Sequence, residues 1–554
     1  MKYIMKYTLL IIFIINFAYA EVVARAINNS KDYYHKNKLN LDKNKVEQIA
    51  TSKVYTKDTT RKNYFIKKIL INVEGVDFTG NIDFLYRQYI GQNLDNEKIL
   101  YLSRHITRYF INQNYLLPQI NIDEQDLLEG ILNIKVLIST LDDVVIIGDN
   151  NQLVREYASK ILNVRPTTVD NTQKYLALMN KIPGYKVLYK IRRELKANNA
   201  ERSPIDLVLV TKKLKGEVFS SIDNYGVNNL GKEQFIAEAQ LYSMFNDGDA
   251  LTFTGFTTNH PDRIHDIGLG YKIPVNYRGT YVHLAIAGAL DNPSKNSTFR
   301  TKDNKQTDIS FALTHPLYLT TLNDLKIKIG ANIKTISNYS LNSSAKNNSA
   351  RYWSGNLGLT YLTKDKLDGY NIIKIDLIQG IGGKFKDYIQ QNNLVSQHFN
   401  LLKLNIYREQ PLINNFSVFS HLSSNSSNKT IPDHELFVVG GHVFGRAYQF
   451  DIMNGSNMLG FTLETRYKKK LNHKLLEEIQ PYVFFDTGSI AKQKSNINKS
   501  NLSSYGAGIR FELPYKVNFT TEIALPLTRH YIINGNYKKL GARFNLFANK
   551  LFEF

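Results

Sequence analysis

The sequence contains no cysteine, one tryptophan and 13 prolines in 554 residues. Without cysteine, neither disulfide bonds nor thiolate metal sites can stabilise the chain. Beyond the first twenty residues, no stretch approaches the run of about 18 apolar residues that a transmembrane helix requires. The hydrolase motifs H-E-x-x-H and G-x-S-x-G are also missing. A chain of this length must therefore depend on a large core or on a lipid environment.

Tyrosine and phenylalanine are plentiful, with 35 and 29 residues, and the formal net charge is +21. Tyrosine is amphipathic and suits the interface between a membrane and water. A positive charge is compatible with nucleic acid or anionic surfaces. However, Lys, Asn, Ile and Tyr recur throughout the chain, which indicates a compositional bias of the genome. No basic and aromatic nucleic-acid motif is present, so we expect no nucleic-acid partner.

The N-terminus has the pattern of a secretory signal peptide over residues 1–20. Lys2 and Lys6 precede the apolar run Leu9–Ile15, and Ala18-Tyr19-Ala20 provides a cleavage site. Residues 21–64 are polar and rich in lysine, which favours a linker with room for a short helix that could plug a pore.

Two successive units of about 70 residues follow, at 65–139 and 140–215, each with the order β-α-α-β-β. In the first unit, apolar residues at helical spacing predict one helix over 82–90 and a second that begins at Asp95, a plausible N-cap. The second strands of the two units are predicted at Leu116–Ile122 and Tyr185–Ile191.

From residue 216 to 554 the helical periodicity disappears, and sixteen segments of roughly ten residues alternate with period two. Short turns and longer Ser/Asn-rich loops separate them in alternation, which is typical of an outer-membrane barrel. A soluble β-sandwich would leave exposed strand edges and would rarely hold so many strands. We therefore predict a mainly β protein: a 16-stranded antiparallel transmembrane β-barrel preceded by two periplasmic α+β domains.

One stretch, Phe437–Tyr467, combines paired glycines with a single central arginine, Arg446. About twenty residues later, Phe484-Phe485-Asp486-Thr487-Gly488 places one aspartate on a strand. A glycine-rich loop with one cation, followed by a strand with one anion, suggests that the two charges meet.

Together these features resemble a two-partner secretion transporter of the TpsB family, whose periplasmic POTRA domains have the β-α-α-β-β order. That family carries V-R-G-[FY] on the loop between strands eleven and twelve, and the strand count puts Arg446 in that loop. Arg446 and Tyr448 match, whereas Gly445 replaces the valine and Ala447 the second glycine. The family's F-x-D-x-G on strand thirteen is matched by Phe484, Asp486 and Gly488.

The resemblance implies that the loop folds into the barrel and that Arg446 pairs with Asp486, which a guanidinium can bind bidentately. It also implies export of a secreted partner protein, unfolded in transit and folding outside as a β-solenoid. The protein would lie in the outer membrane of a Gram-negative-type bacterium, in contact with its lipids, without a cofactor and without ATP. Sheet edges could bind the unfolded partner by strand addition; the candidate residues are Leu116, Gln119, Ile120, Ile122, Tyr185, Val187 and Tyr189.

Three alternatives remain. A factor that inserts other barrels into the membrane would share the fold and motifs, but such factors generally carry more POTRA units. A barrel enzyme is disfavoured, because Asp433-His434-Glu435 is an isolated cluster and Gly380–Lys384 lacks the spacing of a phosphate loop. The glycines of Gly380–Lys384 are better explained by a strand that another part of the chain approaches closely. A passive porin would not need two periplasmic domains.

Overall fold

The computed structural model describes residues 63–554 except 117, 123–126, 128, 194–204, 228–229, 292–302, 321, 340–347, 387–388, 391–392, 433–434, 451, 492–500, 529 and 534–535. The expected signal peptide and nearly all of the 21–64 extension therefore lie outside the described residues. The chain divides into two compact units. The N-terminal unit reaches Lys213, and the barrel unit follows from Leu214. Among the described residues, no helix is long and apolar enough to cross a membrane.

The first half of the N-terminal unit is a three-stranded sheet with two helices. In chain order its elements are β1 (Tyr64–Ile66), β2 (Lys68–Glu74), α1 (Asp83–Tyr86), β3 (Gln92–Leu94), α2 (Asn96–Asn112), β4 (Pro118–Asn121) and β5 (Ile131–Ile138). The sheet order is β2-β5-β4, and β1 pairs with β3 in a separate ribbon. The side chain of Asp95 accepts a hydrogen bond from the Lys98 amide and caps α2, as its position predicts.

The first predicted helix is much shorter than its apolar spacing suggests. The α-helix covers only Asp83–Tyr86 and continues as one 3₁₀ turn, Arg87–Tyr89. Gly91 then adopts a positive φ of 79°, and the chain turns into β3. The apolar residues on this stretch still serve the core, because Leu85 and Tyr89 are buried.

The second half repeats this topology with β6 (Asp143–Gly148), α3 (Gln152–Leu162), α4 (Val169–Asn180), β7 (Tyr185–Arg193) and β8 (Ile205–Lys213). The sheet order is β6-β8-β7, with β6 parallel and β7 antiparallel to β8. The side chains of Asn151 and Thr168 cap the two helices. Burial raises the pKa of Tyr157, in the core between helices and sheet, to about 12, so its hydroxyl stays protonated at neutral pH.

The barrel is closed and antiparallel, with sixteen strands. Each strand corresponds to one of the predicted segments. They are β9 (Gly216–Asp223), β10 (Gln234–Tyr242), β11 (Ala250–Thr258), β12 (Ile264–Pro274), β13 (Tyr281–Asp291), β14 (Asp303–Leu319), β15 (Asn323–Tyr339), β16 (Asn348–Lys364), β17 (Tyr370–Lys386), β18 (Asn400–Pro411), β19 (Phe416–Ser426), β20 (Met458–Tyr467, continued by Lys469–His473), β21 (Leu476–Ile490), β22 (Asn501–Leu513), β23 (Val517–Pro526) and β24 (Arg543–Glu553).

The two faces of each strand differ in polarity, as the thirteenth strand, β21, illustrates. Phe484 and Asp486 are buried on the inside, whereas their neighbours Val483 and Phe485 are 58% and 38% exposed on the outside. The barrel closes where β24 pairs with β9, so no described strand of the barrel keeps an open edge. An apolar exterior around a polar interior is the arrangement of a barrel that crosses a membrane.

The glycine-rich segment Gly380–Lys384 belongs to the ninth strand, β17. The register shifts there by one residue, so Trp353 pairs with Gly382 and Ser354 with Gly380. A Cβ on Gly380 would lie 2.5 Å from a ring carbon of Phe399. The glycine therefore leaves room for a neighbouring side chain.

Candidate functional site

The described residues of 427–457, between the eleventh strand β19 and the twelfth strand β20, form an inner loop that packs against the inside of the barrel. Its central residues Phe444 and Tyr448 are almost fully buried, against Tyr482 and Phe484 of the wall. Two of its segments, Phe437–Val439 and Met453–Gly455, pair as a short hairpin. Burial of these apolar side chains stabilises the position of the loop in the lumen, in addition to any ion pair.

Arg446, at the tip of the inner loop, is surrounded by carboxylates of the wall, and its residue is only 6% exposed. Its Nη2 donates to Oε1 of Glu464 over 2.7 Å, and its Nη1 donates to Oε2 of Glu522 over 2.8 Å. Its Nε lies 3.4 Å from Oδ2 of Asp486, an ion contact without a hydrogen bond. We call these four residues the tip site.

This geometry differs from a bidentate pair between Arg446 and Asp486. The guanidinium lies between three strands, so each of its nitrogens faces a different carboxylate. Asp486, which is fully buried, uses Oδ1 to accept hydrogen bonds from the Gly445 amide and the Ser504 hydroxyl, both at 2.6 Å. Asp486 therefore binds the backbone next to Arg446 as well as lying near its charge.

Glu464 is shared by three arginines. In addition to Arg446, it accepts a 2.7 Å hydrogen bond from Nε of Arg466 and a 3.0 Å hydrogen bond from Nη2 of Arg510. Arg466 also reaches Oε2 of Glu409 at 3.3 Å. The tip site is thus one end of a chain of alternating charges on the wall, which compensates for the desolvation of each ion.

Each of the three arginines also lies over an aromatic ring of the wall. The guanidinium carbon is 4.2 Å from the ring centroid of Phe484 for Arg446, 4.1 Å from that of Phe419 for Arg466 and 3.9 Å from that of Tyr482 for Arg510. A planar guanidinium can use its edge for carboxylates and its face for a ring at the same time, which an ammonium cannot. The phenylalanine of F-x-D-x-G therefore has a direct role in holding Arg446.

The sequence motifs did not reveal Glu464 and Glu522. Glu464 lies within the stretch Phe437–Tyr467, at a position of the alternating strand that faces the lumen. A charged residue that faces the lumen on a predicted strand was a signal that could have identified it. Glu522 comes from the fifteenth strand, β23, and nothing in its local sequence connects it with a loop 76 residues earlier.

The departures from the family motif are explained by the loop backbone. Gly445 has a φ of 84°, and a Cβ there would lie 3.2 Å from Cδ2 of Tyr448, so glycine is required at this position. Ala447 is not among the residues with positive φ, and alanine is therefore tolerated. Tyr448 is anchored at its far end, where its hydroxyl donates to the Ser503 carbonyl over 2.8 Å.

Gly488, the last residue of F-x-D-x-G, provides space for the inner loop. A Cβ at Gly488 would lie 2.6 Å from Cγ2 of Val439. A larger residue would push the loop off the wall at this point.

The predicted docking edge of the first POTRA-like half is short. β4 spans Pro118–Asn121 and pairs only with β5, and proline at its start offers no amide. Leu116 precedes the strand, and its amide donates to the Thr167 carbonyl of the next half. The side chains of Leu116, Gln119, Ile120 and Ile122 are buried, so they serve the core and cannot line an external pocket.

The second predicted edge, β7, is longer and borders β8 on one side only. Tyr185 and Val187 are buried in the core, so only the backbone of the strand at these positions could take part in the predicted strand addition. The Val187 amide donates to Oδ1 of Asn180 over 2.9 Å, and its carbonyl accepts from Nδ2 over 3.1 Å. The side chain of Asn180 thus satisfies the hydrogen bonds of both outward-facing peptide groups of Val187.

Beyond this cap, alternation along the strand turns the peptide groups of Tyr189 and Ile191 outward in the same way. No described residue bonds to those groups. Burial also raises the pKa of Tyr189, whose hydroxyl is buried and has no hydrogen-bond partner among the described residues.

An exposed apolar row crosses the same sheet beside this edge. Ile147 of β6, Val210 of β8 and Leu188 of β7 are direct cross-strand neighbours. They are 53%, 45% and 56% exposed, on the face opposite the helices. Exposed apolar residues that adjoin one another are typical of interaction surfaces.

A closed sixteen-stranded barrel with an inward loop, preceded by β-α-α-β-β domains, defines an outer-membrane transporter with periplasmic POTRA domains. Residues 201–511 match the family of haemolysin secretion/activation proteins ShlB/FhaC/HecB, and residues 70–138 match the ShlB-type POTRA domain. The chain belongs to this family, whose members export a secreted partner protein by two-partner secretion.

Individual relatives are distant. Heme/hemopexin transporter protein HuxB of Haemophilus influenzae strain 86-028NP is 20% identical over 477 residues, which are 81% of each chain. The structure is similar to CdiB from Escherichia coli, with a TM-score of 0.64, 15% identity and coverage of 95% of this chain and 98% of that one. It is also similar to BamA from Haemophilus ducreyi lacking POTRA domains 1–3, with a TM-score of 0.52, 11% identity and coverage of 88% and 100%. The family and these relatives are transporters or share their fold; none is described as an enzyme.

We expect Arg446→Ala to release the inner loop while the barrel still assembles. Removal of one partner from a buried ion pair costs about 3–5 kcal/mol, and Glu522 and Asp486 would both lose their nearest cation. Asp486→Ala should be milder, because Arg446 keeps its hydrogen bonds to Glu464 and Glu522. Protease sensitivity of the inner loop in intact outer membranes measures the release.

The matched control is Arg446→Lys, which keeps the charge but not the planar fork. It should resemble Arg446→Ala more closely than wild type. Full protection of the loop in Arg446→Lys would show that charge alone holds the tip, and that the guanidinium geometry is unimportant.

Proposed function

We propose that this transporter captures its partner protein unfolded in the periplasm and passes it through the barrel after the inner loop leaves the tip site. The observation that carries the proposal is the burial of Arg446 and the surrounding loop residues in the lumen. A chain that crosses the barrel competes for the space the loop fills. Displacement of the loop is therefore the step that export must include.

Capture is proposed to occur by strand addition at β7. The outward peptide groups of Tyr189 and Ile191 support this, since an extended chain can bond to them without sequence preference. The exposed row of Leu188, Val210 and Ile147 lies beside the same edge, where side chains of an added strand would continue it. Asn180 would then set the register by stopping the added strand at Val187.

No nucleotide is required in this scheme. The periplasm supplies none, so folding of the partner outside the cell gives transport its direction. A β-solenoid partner, which folds progressively from its first exported repeat, meets that requirement. The barrel itself is proposed to be held by the apolar contacts of its outer face with outer-membrane lipids.

Insertion of other barrels into the membrane is the second candidate, since BamA shares the fold. Likeness at 11% identity concerns the fold alone. The family match favours secretion. Loss of export with normal levels of other outer-membrane barrels in a deletion strain would separate the two.

Deletion of residues 65–213 should leave a barrel that inserts but exports nothing, because the capture edge is lost. Heat-modifiable gel mobility reports assembly, and partner protein in the medium reports export. Normal secretion by this truncated protein would rule out a capture role for the N-terminal unit.

Ile191→Pro should reduce export strongly while the domain stays folded. Proline removes the outward amide and is tolerated on an edge strand whose ladder bonds it does not interrupt. Ile191→Val keeps the amide and serves as the control. Equal export by the two variants would mean that the partner does not add a strand here.

A further inference from the structure

The inner loop has a second buried carboxylate, Glu435, eleven residues before Arg446 along the chain. Its Oε1 lies 2.9 Å from Nζ of Lys334, and its Oε2 lies 3.2 Å from Nζ of Lys403. The hydroxyl of Tyr352 donates to Oε1 over 3.3 Å. Glu435 itself is 4% exposed. We call these four residues the stem site.

The stem site and the tip site lie on different sectors of the barrel wall. Lys334, Tyr352 and Lys403 come from strands seven, eight and ten, β15, β16 and β18. The carboxylates of the tip site come from strands twelve, thirteen and fifteen. The inner loop therefore bridges the lumen between two separate groups of fixed charges, of opposite sign.

Apolar residues reinforce the stem contact as they do the tip contact. Ile431, Leu436 and Val438 of the loop form one buried cluster with Ile336, Tyr352 and Leu401 of strands seven, eight and ten. Phe399, which directly precedes strand ten, belongs to the same cluster. This cluster shares no buried residue with the cluster at the tip. The two contacts are separate in packing as well as in charge.

Lys334 shows why the stem needs the loop carboxylate. Its side chain is 9% exposed, and Asp308 lies at 3.6 Å, farther than Glu435. Without Glu435, the buried ammonium would keep only the longer contact and would be close to Lys403, another cation. An ammonium shielded from water needs a closely placed anion.

We propose that Glu435 is a second latch of the inner loop, which holds the stem against strands seven to ten independently of Arg446 at the tip. Glu435 acts as a positioning residue: it fixes the loop across the lumen. The proposal rests on the proposed gating by the inner loop. Its test below uses ion flow without any partner protein, so its outcome does not depend on export.

The test is ion conductance of the purified full-length protein in planar lipid bilayers. Glu435→Gln keeps the shape and the hydrogen bond from Tyr352 but removes the charge. Hydrogen bonds to charged groups are worth enough to change an equilibrium by about tenfold or more. We expect the occupancy of large open conductances to rise by that factor.

The matched control is Glu478→Gln. Glu478 of β21 pairs at 2.7 Å with Lys468, which links the two segments of β20. Neither residue belongs to the inner loop. Its conductance should equal that of wild type. A rise in both variants, or in neither, would overturn the proposal.

Independence is tested by combining Glu435→Gln with Arg446→Lys. Two separate latches predict that the fold-changes in open occupancy multiply, since distant contacts without shared partners are additive in free energy. In contrast, Glu435→Gln combined with Lys334→Met should be little worse than the single change. The assignment would be contradicted if the fold-changes in open occupancy multiplied when Glu435→Gln is combined with Lys334→Met. It would also be contradicted if adding Glu435→Gln to Arg446→Lys gave no further change.

If Glu435→Gln does not assemble, Tyr352→Phe provides the second variant, because it removes only the hydroxyl that donates to Glu435. Open occupancy should rise, by less than in Glu435→Gln. Wild-type conductance in an assembled Tyr352→Phe protein would count against the stem latch.

Discussion

The arrangement of the lumen depends on one guanidinium enclosed by protein. Arg446 can be buried only because carboxylates of three different strands face it, and those carboxylates can be buried only because arginines neutralise them. This mutual requirement fixes which residues of β20, β21 and β23 face the lumen. A slip of one residue in the register would place a charged side chain on the face that contacts lipid. The loop that carries Arg446 is held by the same condition.

Apolar packing and charge have different tasks in this loop. Burial of Phe444, Tyr448 and their neighbours supplies most of the attraction to the wall but little direction. The ion contacts at the tip define one position, because they are satisfied in a single geometry. Polar groups that separate when the loop moves can bind water in place of one another, which suits a segment that has to be held and released.

The barrel strands, the repeated N-terminal unit and two residues of the tip site could be predicted from the sequence. Period-two alternation along the second half marks strands directly, and the alternation of short and long connections orders them. Arg446 and Asp486 belong to local motifs and were found by them. The repeat of β-α-α-β-β was visible because each half buries one helix face on one sheet.

Contacts between segments that are distant in the chain could not be predicted from the sequence. Glu522 and Glu435 meet their partners only because the closed barrel brings together segments that are far apart in the chain, and no local pattern encodes that. The two strands proposed for docking are edge strands of their sheets, but most of their named side chains are buried, since the residues that mark a strand by apolar spacing are those that face the helices. The early end of α1 at Tyr86, followed by a single 3₁₀ turn, is not revealed by apolar spacing alone.

The central claim is that the inner loop must leave the barrel wall for a partner protein to pass. An ideal Cβ at Gly488 would lie 3.3 Å from Cβ of Val439, slightly less than the distance of about 3.5–4.5 Å in disulfides, so a small outward shift of the loop would allow the bond. The chain has no cysteine of its own, so Val439→Cys with Gly488→Cys introduces a single pair that can lock the loop to the wall. Export by the double variant should stop under oxidising conditions and return on addition of a membrane-permeant reductant. The control is Val439→Cys alone, which keeps Gly488 and should export equally under both treatments. Full export by the oxidised, cross-linked protein would show that the partner passes with the loop in place, and would contradict the account.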